Sequence, residues 1–145
     1  MGPFHYRERM SSSHRRGAMA VITNSQGQYL LHLRDDIPGI AWPGHWSVLG
    51  GACDPGEAPR QAIIRELREE AGLLVTELTE LCETPDLHGS GRLLTFFTAR
   101  WDGDAGSLDL SEGQKLDWVF PEQLDTLLVP AFVRHVLDRH AGTKE

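Results

Sequence analysis

Apolar and polar positions change rhythm several times along the chain, and each change marks an element. Ala18 to Thr23 and Tyr29 to Arg34 are apolar runs of strand length. Between them lies Asn24-Ser-Gln-Gly-Gln28, whose Asn, Ser and Gly favour a turn, so a hairpin is predicted. Asp35 to His45 holds Pro38, Gly39, Pro43 and Gly44 and breaks both helix and strand, which reads as a long ordered loop. Trp46 to Leu49 is a short strand candidate running into Gly50-Gly51, where a sharp turn or close backbone approach is expected. From Ala58 to Ala71 the rhythm becomes helical. Pro59 suits a first turn, Gly72 a stop, and Ile63, Ile64, Leu67 and Ala71 form one apolar stripe. Leu74 to Leu81, Arg92 to Arg100 and Lys115 to Phe120 return to strand character, the second of them most strongly. Pro121 to Leu128 and Pro130 to His140 each open on proline and carry helical spacing. Strands that precede, flank and follow a central helix without regular alternation predict an α/β fold with a mixed β-sheet flanked by helices.

At 145 residues and 40% apolar content the chain builds one core, so one domain over residues 18–145 is expected. Residues 1–17 are polar, locally basic and without hydrophobic period, and read as a flexible N-terminal arm. A net charge of −7 repels phosphate-rich surfaces and argues against nucleic-acid and membrane partners. A phosphate-bearing substrate would then need a cation between it and the protein. No run is apolar for long enough to span a bilayer, and the first twenty residues lack the apolar centre of a secretory signal. Cys53 and Cys82 stand in neither a disulfide framework nor a zinc-ligand spacing, and two free thiols fit a cytoplasmic protein.

The helix carries the candidate chemistry. At about 100° per residue, its apolar stripe spans roughly 0 to 100°, while Glu69, Glu66 and Glu70 fall near about 240, 300 and 340°. Exposed like charges at this spacing repel by a few tenths of a kcal/mol per pair. A cation reverses the sign, and carboxylate oxygens are the preferred ligands of Mg²⁺ and Mn²⁺. Taken alone, the face fits an ordinary solvated one more commonly, with Arg60, Arg65 and Arg68 as surface partners.

The spacing around the helix changes that balance. Gly51 is followed after five residues by Glu57, after seven more by Arg65-Glu66, then by Leu67, Glu69-Glu70, Gly72 and Leu73. This resembles the Nudix box, G-x5-E-x7-R-E-U-x-E-E-x-G-U with U aliphatic, at every defined position. A chance match is rarer than about one in 10⁸ per starting point. The resemblance to the MutT/Nudix hydrolase family covers nearly all of residues 18–140. It implies a Nudix α/β/α sandwich with the box as loop, helix and loop. It implies that Glu66, Glu69, Glu70 and the carbonyl of Gly50 hold divalent Mg²⁺ or Mn²⁺, with Glu57 and Arg65 pairing as supporting groups. Ser111-Glu112-Gly113-Gln114, with Trp118 beyond it, is similar to a segment of MutT-type members whose glutamate adds a metal ligand and candidate base. Arg34 matches a phosphate-contacting arginine.

The activity implied is metal-dependent hydrolysis of a nucleoside triphosphate, or another nucleoside diphosphate linked to a group X, by water attack on phosphorus, with Glu66 or Glu112 as base. The substrate is then a small nucleotide. Phe132 stands where the oxidised-guanine enzyme has an asparagine, so the resemblance stops short of that specificity. A ring stacks on any base but supplies no amide donor and acceptor. Trp42 and Trp46 are further stacking candidates, each also read as ordinary packing. A nucleotide-sugar hydrolase and a non-hydrolysing Nudix-fold nucleotide-binding regulator are the alternatives. Many relatives dimerise, so a homodimer is open as an expectation.

Overall fold

The computed structural model describes residues 15–143; residues 1–14 of the expected arm, and 144–145, lie outside the described residues. The first strand, β1 (Arg16–Thr23), starts two residues before the apolar run that announces it, and its partner β2 is Tyr29–Leu33. They pair antiparallel through Thr23 and Tyr29, and Asn24 Oδ1 accepts from the Gln26 and Gln28 N–H groups to close the predicted turn. The stretch read as one strand at Trp46 is two, β3 (Trp46–Ser47) and β4 (Leu49–Ala52). Gly50 and Gly51 therefore lie within a strand, in register with Met19 and Ala18 of β1, so of the sharp turn or close backbone approach expected it is the close approach that the structure shows.

Helix α1 is Pro59–Ala71. Gln61 Oε1 accepts from the Ala58 N–H at its start, and Gly72, with φ 65°, ends it by returning N–H groups to the carbonyls of Arg68 and Leu67. The chain does not resume strand pairing at Leu74 as the apolar run suggests: β5 is Thr79–Pro85. Leu73, Val75 and Leu78 are buried one by one while the Arg60 guanidinium takes the carbonyls of Leu78 and Thr76. Alternating burial thus gives this segment a strand's hydrophobic pattern without a strand's ladder. β6 (Leu93–Arg100) and β7 (Lys115–Val119) follow as predicted. Pro121–Thr126 is a 3₁₀ turn rather than an α-helix, and α2 is Ala131–Thr143.

The mixed sheet runs β3-β2-β1-β6-β5, with β4 added on β1 and β7 on β2; only the β1–β6 pair is parallel. Alternation sends successive side chains to opposite faces. Ala18, Ala20, Ile22, Leu30 and Phe97 meet Ala62, Ile63, Leu67 and Ala71 of α1, whereas Val21, Leu31 and Phe96 meet Val133, Val136 and Leu137 of α2. This is the α/β/α sandwich. Ala18 and Ala20 opposite Ala62 and Ala71 are small enough for α1 to sit close on β1 and β4, which sets the helix's other face beside Gly50 and Gly51.

Candidate active site

Arg65 organises the box. Its Nε and Nη2 donate to Oε2 and Oε1 of Glu57, both at 2.9 Å, so the predicted pair is bidentate. Nη1 donates to Glu66 at 2.9 Å and Glu69 at 3.0 Å, and Nη2 also reaches the Ala52 carbonyl at 3.0 Å. One side chain therefore ties the loop, the end of β4 and two helix carboxylates. Glycine is required where these carboxylates meet β4. A Cβ on Gly51 would stand 2.7 Å from Glu66 Cδ, and Gly50, with φ 154°, would put one into the Ala18–Met19 backbone. The Gly50 N–H donates to Glu70 Oε1 at 3.1 Å. The wheel's single acidic face is thus graded, with Glu70 buried, Glu66 half-buried and Glu69 exposed.

Glu112 arrives from the other end of the sheet on a turn bolted to α1. The Ser111 N–H donates to the Glu70 carbonyl at 2.8 Å and its hydroxyl to the Glu69 carbonyl at 3.0 Å, using acceptors that the helix end leaves unpaired. Below the turn, buried His32 contacts the Glu112 carbonyl through Nε2 at 3.2 Å, a bond in which that nitrogen donates. Burial pushes the His32 pKa down, so it serves as a neutral imidazole. Gly113 (φ 86°) packs against the His32 ring and donates its N–H to Asp35. Gln114 holds the carbonyls of Leu33 and Arg34.

Burial raises the pKa of Glu66 and Glu70, and charge repulsion among Glu66, Glu69, Glu70 and Glu112 adds to the rise. Glu70 is pushed up to about 8, with the Gly50 N–H and Arg34 pulling the other way. Among the described residues no group of three or more His, Cys, Asp or Glu is arranged as a ready metal cage. The donor set nevertheless fits a hard divalent cation: oxygen ligands that repel one another, with Arg65 already shared among four carboxylates, those of Asp54, Glu57, Glu66 and Glu69.

Beside β4, on the face that carries α2, a narrow slot of about 80 Å³ is lined by Met19, Gly50, Gly51, Arg34, Trp42 and Phe132, among others. Arg34, Trp42 and Phe132 therefore meet as expected, with the Trp42 and Phe132 ring centroids 6.1 Å apart. Arg34 Nε donates to the Ala41 carbonyl. Trp46 does not join them. It is absent from the slot's lining, and its ring packs on the α2-side core with the Lys115 ammonium 5.5 Å from its centroid. The slot has a wall the sequence did not announce, the β5–β6 loop with Asp86, Ser90 and Arg92. Buried Asp86 accepts from Trp42 Nε1 at 3.0 Å and the Ser90 N–H at 2.8 Å. Only the turn composition Gly89-Ser90-Gly91 marked this loop in the sequence.

The fold and the box define a pyrophosphate-cleaving architecture, and comparison with known proteins agrees. Residues 13–139 match the NUDIX domain model, and the chain belongs to the NUDIX family. It is 35% identical over 114 residues to the CTP pyrophosphohydrolase of Escherichia coli (strain K12), covering 78% of this chain and 82% of that one. It is 32% identical over 120 residues to the nucleoside triphosphatase NudI of the same strain, covering 75% and 84%. The crystal structure of a MutT protein from Methanosarcina mazei Go1 superposes with a TM-score of 0.74 at 21% identity, over 93% of this chain and 98% of that one. The chain is a Nudix-type hydrolase acting on nucleotide phosphoric anhydrides, a family that generally uses a divalent metal. No helix among the described residues is long and apolar enough to cross a membrane.

Proposed function

We propose that this protein hydrolyses nucleoside triphosphates, or a related small nucleotide with a diphosphate linkage, with Mg²⁺ or Mn²⁺ held by Glu66, Glu69, Glu70 and the Gly50 carbonyl. The observation that carries the reading is the complete box, with Glu66 and Glu70 packed beside Gly51 and Gly50, the two glycines that also line the aromatic slot. A bound divalent cation supplies charge neutralisation for the phosphates and a more acidic water. Arg34 contacts phosphate, and Trp42 and Phe132 flank the base or sugar. Glu66, Glu69 and Glu70 each spend a carboxylate oxygen on Arg65 or Gly50, whereas the Glu112 carboxylate has no hydrogen bond or ion pair among the described residues. Glu112 is therefore the group free to take the proton of the attacking water. Two free cysteines, Cys53 and Cys82, support a cytoplasmic setting.

Turnover of a panel of nucleoside triphosphates and nucleotide sugars with Mg²⁺ or Mn²⁺, scored by products, tests the substrate class. Pyrophosphate and monophosphate released from triphosphates is the expected result. Cleavage of nucleotide sugars alone would move the assignment to them. Metal-independent nucleotide binding without any turnover would mark a binding regulator instead.

The acidic cluster also predicts how cation and pH act on stability. The folded Glu70 pKa of about 8 lies above the unfolded value of 4.5, so its contribution is full below pH 4.5 and lost as pH rises through 8. Chelated protein should therefore lose stability between pH 5.5 and 8.5, and Mg²⁺ should restore it most at the alkaline end. Thermal unfolding with and without EDTA checks this, with a cation-dependent gap widening by about 5 °C or more. A gap that is constant with pH, or unchanged in Glu70→Gln, would refute it.

A further inference from the structure

The slot beside Gly50 continues outward into a wider cleft of about 640 Å³, and the two share Arg34, Ala41, Trp42, Ser90 and Arg92. The outer cleft adds His45 and His88, and its lining contains two arginines and two histidines but no acidic side chain. In a chain of net charge −7, a cleft lined by two arginines and no carboxylate is unexpected from composition. Its arginines are also uncommitted. Arg34 uses only Nε, on the Ala41 carbonyl, and the Arg92 guanidinium has no hydrogen bond or ion pair among the described residues. The carboxylate that lines the inner slot, Asp86, already accepts from Trp42 and Ser90. Guanidinium groups that keep free N–H donors are suited to bidentate capture of phosphate.

The walls come from two separate loops. Arg34 and His45 bracket the β2–β3 loop, and His88 and Arg92 belong to the β5–β6 loop. Asp86 fastens one to the other through Trp42 Nε1, and Gly89 lies so close to Trp42 and Asp86 that any Cβ there would clash with both. The two walls are thus tied to each other by a partly buried hydrogen bond. Because Gly50, Gly51 and Phe132 line only the inner slot, whatever lies in the outer cleft is farther from the box than what lies in the slot.

We propose that the outer cleft binds a second phosphate of the substrate, a phosphomonoester on the part of the molecule remote from the hydrolysed linkage. This rests on the reading that the box acts on the diphosphate linkage, and it narrows the substrate to one bearing phosphate at both ends. No bond forms or breaks there. Arg34 serves both regions, and Arg92 is the residue specific to the second phosphate.

Binding to the full-length protein separates this from hydrolysis. Calorimetry would compare the 5′-monophosphates of adenosine, cytidine, guanosine and uridine with their 3′,5′-bisphosphates, with Mg²⁺ and again with EDTA. At least one bisphosphate is expected to bind about tenfold more tightly than its monophosphate, the scale of one charge-assisted contact. That advantage should survive chelation, fall below about twofold in Arg92→Gln and persist in Glu112→Gln. His88→Ala, an exposed position, should reduce it without affecting the fold. Equal binding of every pair would overturn the proposal, as would an advantage lost on chelation, because the second phosphate would then sit at the acidic cluster. An advantage unchanged in Arg92→Gln would overturn it too. Absence of turnover across the nucleotide panel, by contrast, would count against the hydrolase reading and leave these affinities standing.

Discussion

Glu112→Gln should lower kcat by about 10²- to 10⁴-fold while leaving KM and Mg²⁺ affinity within a few-fold of the parent. That is the loss expected when a positioned base is removed but its neighbours remain. The isosteric amide keeps the turn, because the turn is fixed by backbone groups: Ser111 to the carbonyls of Glu69 and Glu70, the Glu112 carbonyl to His32, and the Gly113 N–H to Asp35. Glu66→Gln should behave differently. Its carboxylate accepts from Arg65 and lies against Gly51, so the amide disturbs the Arg65 bond and cation binding together. Steady-state kinetics with Mg²⁺ titrations on both variants would decide. Small and equal losses in the two, or a Glu112→Gln variant that fails only in metal binding, would remove Glu112 from the role of base.

Arg65→Ala carries the largest expected loss of stability, about 3 kcal/mol, which corresponds to roughly 10 °C in Tm. Its guanidinium is the cation for Glu57 and Glu66, carboxylates only 15% and 17% exposed, and it caps the Ala52 carbonyl. Deleting it leaves these groups desolvated without a partner, which costs more than the pair itself contributes. The box loop would also detach from α1, and turnover should fall by about 10²-fold as the carboxylates lose their positions. Arg65→Lys tests geometry against charge. A point charge cannot serve two oxygens of Glu57 and two further carboxylates at once, so lysine should recover only a minor part of either quantity. Thermal unfolding and kcat of both variants check this, and a lysine variant equal to the parent would show that charge alone suffices.

The acidic constellation was legible because it is local. The Gly51 to Leu73 spacing places its carboxylates through helix geometry and a single Arg65–Glu57 pair, both written within 23 residues. Glu112 could be singled out only by resemblance, since its delivery depends on bonds to Glu70, some forty positions away. The cleft walls left still less trace. Asp86 and Arg92 matter because one loop crosses another, and nothing in their own neighbourhood has a period that could signal it. Trp42 and Trp46 are the same residue type four positions apart, yet only Trp42 lines the slot, while the Trp46 ring is taken up by the α2-side core and Lys115. At Leu74 the apolar rhythm predicted pairing, but the Arg60 guanidinium had taken carbonyls that a ladder would use. Hydrophobic pattern reports which side chains are buried and says nothing about where backbone groups bond.

The bond from Ser111 to the last carbonyls of α1 also bears on how the protein breathes. Fraying of a helix end normally costs little and stays local. Here the same fraying would also break the Ser111 bonds to Glu69 and Glu70, so the end of the helix opens together with Ser111, the first residue of the Glu112 turn. Amide exchange at Ser111 and Gly72 would then share one protection factor, and the two halves of the acidic cluster would assemble and dissolve together.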